Sequence, residues 1–466
     1  MSNNASATIP ARLDRLPRSW HVWRMVVLIS LGGLFEFYDL FFTAYVAPGM
    51  IKSGMFSPQS LGPLAGLHVI AVAGFGTFVF ATFSGLWVGA LFGSQVADRM
   101  GRRTIFTWAL IWYMVSSAIM AFQSTGFALN VWRFIAGVGL GVELVTIDAY
   151  ISELIPRRER GRAYSINQFI MFSAVPIVAF LAWQLVPIAP LGFDGWRWVV
   201  LIGSVGAVVV WFLRLGLPES PRWLLKHGRY EEAERIVAAI EKQVADETGK
   251  PLPAPGAAVP EAEGHGALAE AFRPPYRART IMLSVFNFAQ TIGFYGFAAW
   301  VPTLLIDRGI HVTQSLMYAF IIAIANPFGP LIGSLFSDRI ERKWQIVLAA
   351  LGMGLFMAIF SGLNDPTALI IVGVLFTLCA NTLSYAFHNY QSELYPTRIR
   401  ARAVGFVYSW SRISAAFAGL AIGYILNVAG VPGVAAFIGV AMLVVMVSIG
   451  FFGPATRELA LEQIAH

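Results

Sequence analysis

Two acids and one arginine stand where ionisable groups are costly. Glu36 and Asp39 lie inside an apolar stretch near 23–47, in Gly32-Gly-Leu-Phe-Glu-Phe-Tyr-Asp-Leu40, and Arg133 lies inside another near 125–153. A spacing of three puts Glu36 and Asp39 on nearly one helical face, with Tyr38 beside them. Asp39 comes eight residues before the end of its stretch and Arg133 eight residues after the start of its own. If these two ends share one side of a membrane, the side chains sit at similar depth. A carboxylate–guanidinium pair is then the cheapest arrangement for both. Glu143 and Asp148, further along the same stretch, read as part of a helix-end charge network. A second arginine, Arg412, sits in an apolar run as Trp410-Ser-Arg-Ile413, and His388 follows Tyr385 in another. A buried guanidinium suits a carboxylate; the alternatives are snorkelling or a pair with Glu393.

The elements that must position these groups follow from composition. The chain has 466 residues, 57% hydrophobic and 13% charged, and a mean hydropathy of +0.66. Soluble domains carry about twice that share of charge. Twelve runs are long enough to cross a bilayer, near 23–47, 74–97, 104–123, 125–153, 164–187, 197–217, 279–305, 313–337, 344–363, 366–391, 403–427 and 432–453. We call them spans 1 to 12. The expected fold is therefore an all-α polytopic membrane protein. A polar stretch at 1–20 lacks the short apolar core and cleavage site of a signal peptide.

Arginines accumulate on alternate loops: Arg99, Arg102 and Arg103; Arg157, Arg158, Arg160 and Arg162; Arg339, Arg342 and Lys343; Arg398, Arg400 and Arg402. The opposite loops hold Lys52, Arg197 and Arg308. By the positive-inside rule the Arg-rich loops and both termini are cytoplasmic. The excess of basic residues belongs to these loops and does not call for nucleic acid.

The chain repeats itself. Gly93-Ser-Gln-Val-Ala-Asp-Arg-Met-Gly-Arg-Arg103 aligns on Gly333-Ser-Leu-Phe-Ser-Asp-Arg-Ile-Glu-Arg-Lys343 at an offset of 240. The same offset lays Glu153–Ala163 on Glu393–Ala403 with seven of eleven positions identical. Two six-helix halves follow, with a path between them. The expected units are a tail at 1–22, a bundle at 23–217, a linker at 218–278, a second bundle at 279–453 and a tail at 454–466. Within the linker, Arg229–Lys242 sets Ile236, Val237 and Ile240 among charges, as in an amphipathic surface helix. Residues 251–260 are Pro- and Ala-rich, which suits a flexible connection.

The repeated loops place Asp98, Arg99, Arg102 and Arg103 near Glu153 and Arg162 in one half. They place Asp338 and Arg339 near Glu393 and Arg402 in the other. An ion-pair cluster there fastens the Arg-rich ends in one state and frees them in another. The plainer reading is a solvated basic loop. No Walker loop, metal-ligand spacing or nucleotide fingerprint occurs, one cysteine excludes an internal disulfide, and no nucleophile constellation stands out. We expect no cofactor, no metal, no ATP drive, no enzymatic role and no obligate protein partner.

The G-x-x-x-x-D-R-x-G-R-R loop at 93–103 resembles the signature of the major facilitator superfamily. Arg133-Phe-Ile-Ala-Gly-Val-Gly-Leu-Gly141, Ala149–Pro156, Arg160-Gly161 and Pro218-Glu-Ser-Pro-Arg-Trp-Leu224 resemble its sugar porter branch. The resemblance covers essentially the whole chain. It implies a major facilitator fold and alternating access in a secondary transporter, with spans 1, 4, 7 and 10 lining the cavity. It also implies that Asp39, with Arg133, couples transport to protons, a static ion pair being the alternative; Glu36 is a second proton site, a substrate contact or a partner for a residue in another span. The branch's span-7 amides are reduced here to Gln290, with Tyr295 where an amide is usual, and His388 replaces the tryptophan of span 10. Those departures favour a planar or anionic organic substrate over a hexose, contacted by Gln290, Tyr295, Tyr385, His388 and Arg412. A sugar symporter and a non-transporting sensor remain the alternatives.

Overall fold

A computed structural model describes residues 9–255, 267–336 and 340–456. Hydrocarbon offers the backbone no hydrogen bonds, so each apolar run must satisfy its own amides by coiling. Eleven helices among the described residues are long and apolar enough to cross a membrane. They begin with Trp20–Lys52, Gly76–Met100, Arg102–Ala121, Gly126–Leu154, Arg160–Leu185 and Gly195–Arg214. Tyr276–Ala298, Val312–Gly333, Arg342–Gly362, Pro366–Glu393 and the long helix Thr397–Phe452 complete the set. The last holds two spans. At Gly430 the backbone takes φ +61°, a value glycine adopts without strain, and Pro432 follows inside the turn. Spans 11 and 12 therefore run through 397–429 and 431–452. Twelve spans in two six-helix halves result, the major facilitator fold.

Starts are capped by side chains. Ser19 accepts from Val22 N, Thr125 from Ala128 N, and Asp365 from Ala368 N with Pro366 in the first turn. Spans 2 and 4 pack backbone to backbone through glycine. A Cβ on Gly85 would stand 2.2 Å from Phe134 O, and one on Gly141 2.2 Å from Leu86 O. This small-residue seam brings Arg133 of span 4 against span 2.

The halves meet mainly away from the Arg-rich loops. Phe75 packs edge-on to Trp300 at 5.1 Å, Asn427 Nδ2 donates to Val72 O at 3.0 Å, and Gly76 faces Gly419 O. Toward the Arg-rich end, Phe92 and Val96 of span 2 are exposed, as are Arg402 and Gly405 of span 11.

The linker contains the amphipathic helix Tyr230–Thr248, which runs six residues past the segment read from the sequence. Its buried Ala233, Val237, Ile240 and Val244 join Ile9, Leu13 and Leu16 of the N-terminal segment, while Ile236 lies half-buried beside them. Arg12 reaches Glu241 at 2.7 Å and Glu234 at 2.5 Å, and Arg15 reaches Glu241 at 2.6 Å. Asp14 faces the opposite way, to Arg160 and Arg222. Residues 9–18 thus form a clasp between the linker helix and the first half.

Candidate functional site

Span 1 turns Asp39 toward spans 3 and 4. Arg133 Nη1 donates to Asp39 Oδ2 at 2.6 Å, and its Nη2 donates to Asp39 O at 2.7 Å and Thr43 Oγ1 at 2.9 Å. Nε donates to Thr82 Oγ1 of span 2 at 2.9 Å, and Ser117 Oγ of span 3 donates to Asp39 Oδ1 at 2.7 Å. The guanidinium lies 4.5 Å from the ring centre of Phe42 and 5.4 Å from that of Phe78. Arg133 is fully buried and Asp39 nearly so. The expected pair is present, held by four elements. Thr43, Thr82 and Ser117 were not distinguishable in the sequence from ordinary helix hydroxyls.

A second cluster forms where the halves meet. Tyr295 of span 7 packs against Phe83 at 4.5 Å and Phe41 at 6.5 Å, both from the first half. Arg412 of span 11 donates to Tyr408 Oη at 3.2 Å and, at the long limit of 3.5 Å, to Tyr295 Oη. Arg412 is buried, so it neither snorkels nor pairs with Glu393, whose partner is Arg342. Glu36, fully buried on span 1, is close enough for its charge to act on Arg412 and Tyr295. His388 of span 10 is exposed, 5.3 Å from the Tyr408 ring, with Nδ1 at 2.7 Å from Ser384 O.

The remaining expected contacts lie apart from the guanidinium. Gln290 is buried and donates to Thr291 Oγ1 at 2.9 Å, and Tyr385 packs beside Gly333 of span 8. Between the halves a small pocket is walled by Phe41, Tyr45, Phe294, Phe297 and Phe376. Two amides, Asn326 and Asn381, complete that wall, joined by a 3.1 Å bond from Asn381 Nδ2 to Asn326 Oδ1. Neither asparagine was singled out in the sequence, because an uncharged amide hardly interrupts an apolar run.

At the Arg-rich end part of the expected cluster is present. Glu153 takes Arg102 at 3.3 Å, whereas Arg162 pairs with Glu159 at 3.5 Å. The reason is packing: the start of span 3 lies against the end of span 4, while the Arg162 side chain points outward, 62% exposed. Arg103 contributes its backbone N–H, shared with that of Arg102, to the Glu219 carboxylate, and its Nη2 donates to Leu215 O at 2.8 Å. Arg99 and Arg402 are exposed. The Asp98 side chain and residues Asp338 and Arg339 lie outside the described residues.

Glu143 meets a helix-end charge, but inside the bundle: it is fully buried, 2.6 Å from Arg214, the last residue of the span-6 helix Gly195–Arg214. A guanidinium at a span end reads as a topogenic charge, and nothing in the sequence shows it folding inward.

A multi-pass helical membrane protein with two facing six-helix halves and ionisable groups along their interior has the build of a transporter. The chain belongs to the family described as "Sugar (and other) transporter", whose model matches residues 25–466. It is 30% identical to the putative metabolite transport protein YyaJ of Bacillus subtilis, over 96% of this chain and 95% of that one. It is 26% identical to the niacin transporter NiaP of Acinetobacter baylyi, over 97% and 99%. A solved structure of the xylose transporter XylE from E. coli, in a partially occluded inward-open conformation, superposes with a TM-score of 0.77. That match has 21% identity and covers 95% and 100% of the two chains.

Proposed function

We propose that this protein takes up a small organic acid together with protons, by alternating access, with aromatic acids preferred over sugars. The observation that carries the reading is Arg412. It is a buried cation at the junction of the halves, bonded only by tyrosine hydroxyls among its described hydrogen bonds, and its partner Tyr295 packs on Phe41, which lines the aromatic-walled pocket. A carboxylate meets a guanidinium with two parallel bonds, and a planar ring suits Phe and Tyr faces. Niacin, the substrate named for one relative, is such an acid. Tyr295, His388 and Tyr385 add donors and ring surface, and Gln290 enters by exchanging its bond to Thr291.

Protonation of Asp39 dissolves its charge pair with Arg133 and lets the halves rearrange; Glu36 carries the influence of that site to Arg412. The gate comprises Asp98, Arg99, Arg103, Glu153 and Arg162, and in the second half Asp338, Arg339, Glu393 and Arg402. On this reading the protein lies in a bacterial-type inner membrane with both termini cytoplasmic. Segments 1–22, 218–278 and 454–466 flank and join the bundles at 23–217 and 279–453.

One observation favours a sugar instead, the Asn326–Asn381 amide pair, since amides suit hydroxyls. Uptake into proteoliposomes of labelled aromatic acids, aliphatic acids and pentoses or hexoses, with and without a pH gradient, separates the two. The proposal expects an aromatic acid to be accumulated and Arg412→Ala to weaken it. Saturable sugar uptake indifferent to added acids overturns it.

A further inference from the structure

The first half contains a second buried ion pair that the transport reading leaves unused. Glu143 and Arg214 are both fully enclosed, with Arg214 Nη1 also donating to Phe106 O at 3.2 Å and its guanidinium 3.6 Å from the Phe106 ring centre. Isolated charges in such a setting cost several kcal/mol each, so a pair kept there calls for a reason. Its position suggests one. Glu143 follows Arg133 by ten residues on span 4, about 15 Å nearer the Arg-rich end at ordinary helical rise.

Two residues of span 3, four apart and so on one helical face, carry hydroxyls toward this interval. Ser117 donates to Asp39. Tyr113, one turn closer to the Arg-rich end and almost fully buried, feels the charges of Glu143 and Arg214 on one side and of Asp39 and Glu36 on the other. Tyr113 Oη and Glu143 Oε2 are both buried without a hydrogen bond of good geometry. Span 1, which carries Asp39, crosses directly over the pair. At Gly32 a Cβ would fall 0.9 Å from Arg214 Nη2, so the guanidinium occupies the space a side chain would need. The groups facing Glu143 are therefore Arg214 from span 6, Tyr113 from span 3 and, beyond Tyr113, Glu36 from span 1. Span 2 meets the preceding residues Gly141 and Val142 through its seam of Leu86, Gly89, Ala90 and Gly93.

We propose that Glu143 and Tyr113 form the exit for the proton carried on Asp39, a route through the first half that leaves the substrate path free. This rests on the proton-coupled reading of Asp39. The neutral Asp39 carboxyl gives its proton to the Ser117–Tyr113 hydroxyls, and Tyr113 passes its own to the Glu143 carboxylate. Asp39 is again an anion and re-forms its pair with Arg133. Neutral Glu143 then loses the proton at the Arg-rich end and re-pairs with Arg214. One proton has moved, and every group ends as it began. Acid chains of this kind are the usual carriers of protons through membrane proteins.

The test uses the full-length protein in proteoliposomes, with the acid found by the uptake screen as probe. Tyr113→Phe keeps both charges and nearly the same volume. It is expected to slow gradient-driven uptake about a hundredfold, the lower end of what a positioned proton-transfer group supplies, while substrate exchange persists. Glu143→Gln is expected to abolish accumulation and flatten the pH profile of uptake. Because that change strands Arg214, the double variant Glu143→Gln/Arg214→Gln removes both charges and is expected to fold yet remain uncoupled. Wild-type accumulation by the folded double variant together with wild-type rates for Tyr113→Phe would show the pair to be a static fastener and overturn the proposal. If the wild-type protein itself ignores the pH gradient, the Asp39 reading fails instead.

Discussion

Replacing Asp39 by Asn isolates the charge of the central pair. The amide oxygen of Asn still accepts from Ser117, and the main-chain oxygen at 39 still accepts from Arg133. What disappears is the 2.6 Å charge-assisted bond between Nη1 and Oδ2. Stranding a buried charge costs about 3–5 kcal/mol, whereas one charged hydrogen bond is worth about 1.5–3 kcal/mol. Arg133 keeps Thr43, Thr82, the carbonyl at 39 and the Phe42 ring, so the smaller figure governs. We expect a loss of about 2 kcal/mol and a correctly folded protein. The functional effect is larger. One proton per substrate anion at a gradient of one pH unit supports accumulation of about tenfold, because that gradient is worth about 1.4 kcal/mol. Asn at 39 stays neutral throughout, so the expected accumulation ratio is about one while counterflow of labelled substrate remains measurable. The assay is paired: melting of the purified protein, then gradient uptake and counterflow in the same vesicles. Tenfold accumulation by the folded variant would refute the reasoning.

Gly141→Ala sets a Cβ 2.2 Å from Leu86 O and 2.7 Å from Ala90 N, backbone atoms that cannot step aside. Overpacking of about 1–3 kcal/mol outweighs the helix-propensity gain of about 1 kcal/mol, so a lowered melting temperature is expected and an unchanged one would contradict the seam. Tyr295→Phe removes one partner of Arg412 and should raise the half-saturation for an acid substrate several-fold, about 1 kcal/mol, with turnover unaffected. Unaltered half-saturation would take Tyr295 out of the site. At the clasp, burial opposes ionisation of Glu241, but hydrogen bonds and charge from Arg12 and Arg15 outweigh it and hold its carboxyl below the ordinary value of about 4.5. A depressed folded value contributes stability above pH 4.5 that is lost as pH falls through the lowered value. Protease cleavage of the 9–18 segment should therefore rise at low pH and in high salt, and Glu241→Gln should show that susceptibility already at pH 7. Equal protection of the variant would deny the clasp its ionic origin.

Membrane crossing made much of the fold legible, since each span needs a long apolar run and each Arg-rich loop marks one side. Asp39 and Arg133 were legible for the same reason: charge inside such a run has few cheap partners. Partner choice among loop charges was not. Glu153 had several arginines within reach, and only the packing of spans 3 and 4 selects Arg102. Arg214 looked like any end-of-span arginine, because its inward course depends on the space left by Gly32, far away in sequence. The N-terminal clasp escaped notice although Ile9, Leu13 and Leu16 have helical spacing, their short pattern being buried among charges. Asn326 and Asn381 left no trace in hydropathy, and their meeting is a property of spans 8 and 10 packed together.

The central claim is that an organic acid and a proton cross together. Proteoliposomes loaded with a pH indicator, at equal pH on both sides, receive the accumulated acid outside, with protein-free and Asp39→Asn vesicles subtracting passive entry of the undissociated acid. The account predicts a protein-dependent internal acidification that tracks labelled substrate at one proton per anion and is absent in Asp39→Asn. Protein-dependent substrate entry with no accompanying proton would contradict it.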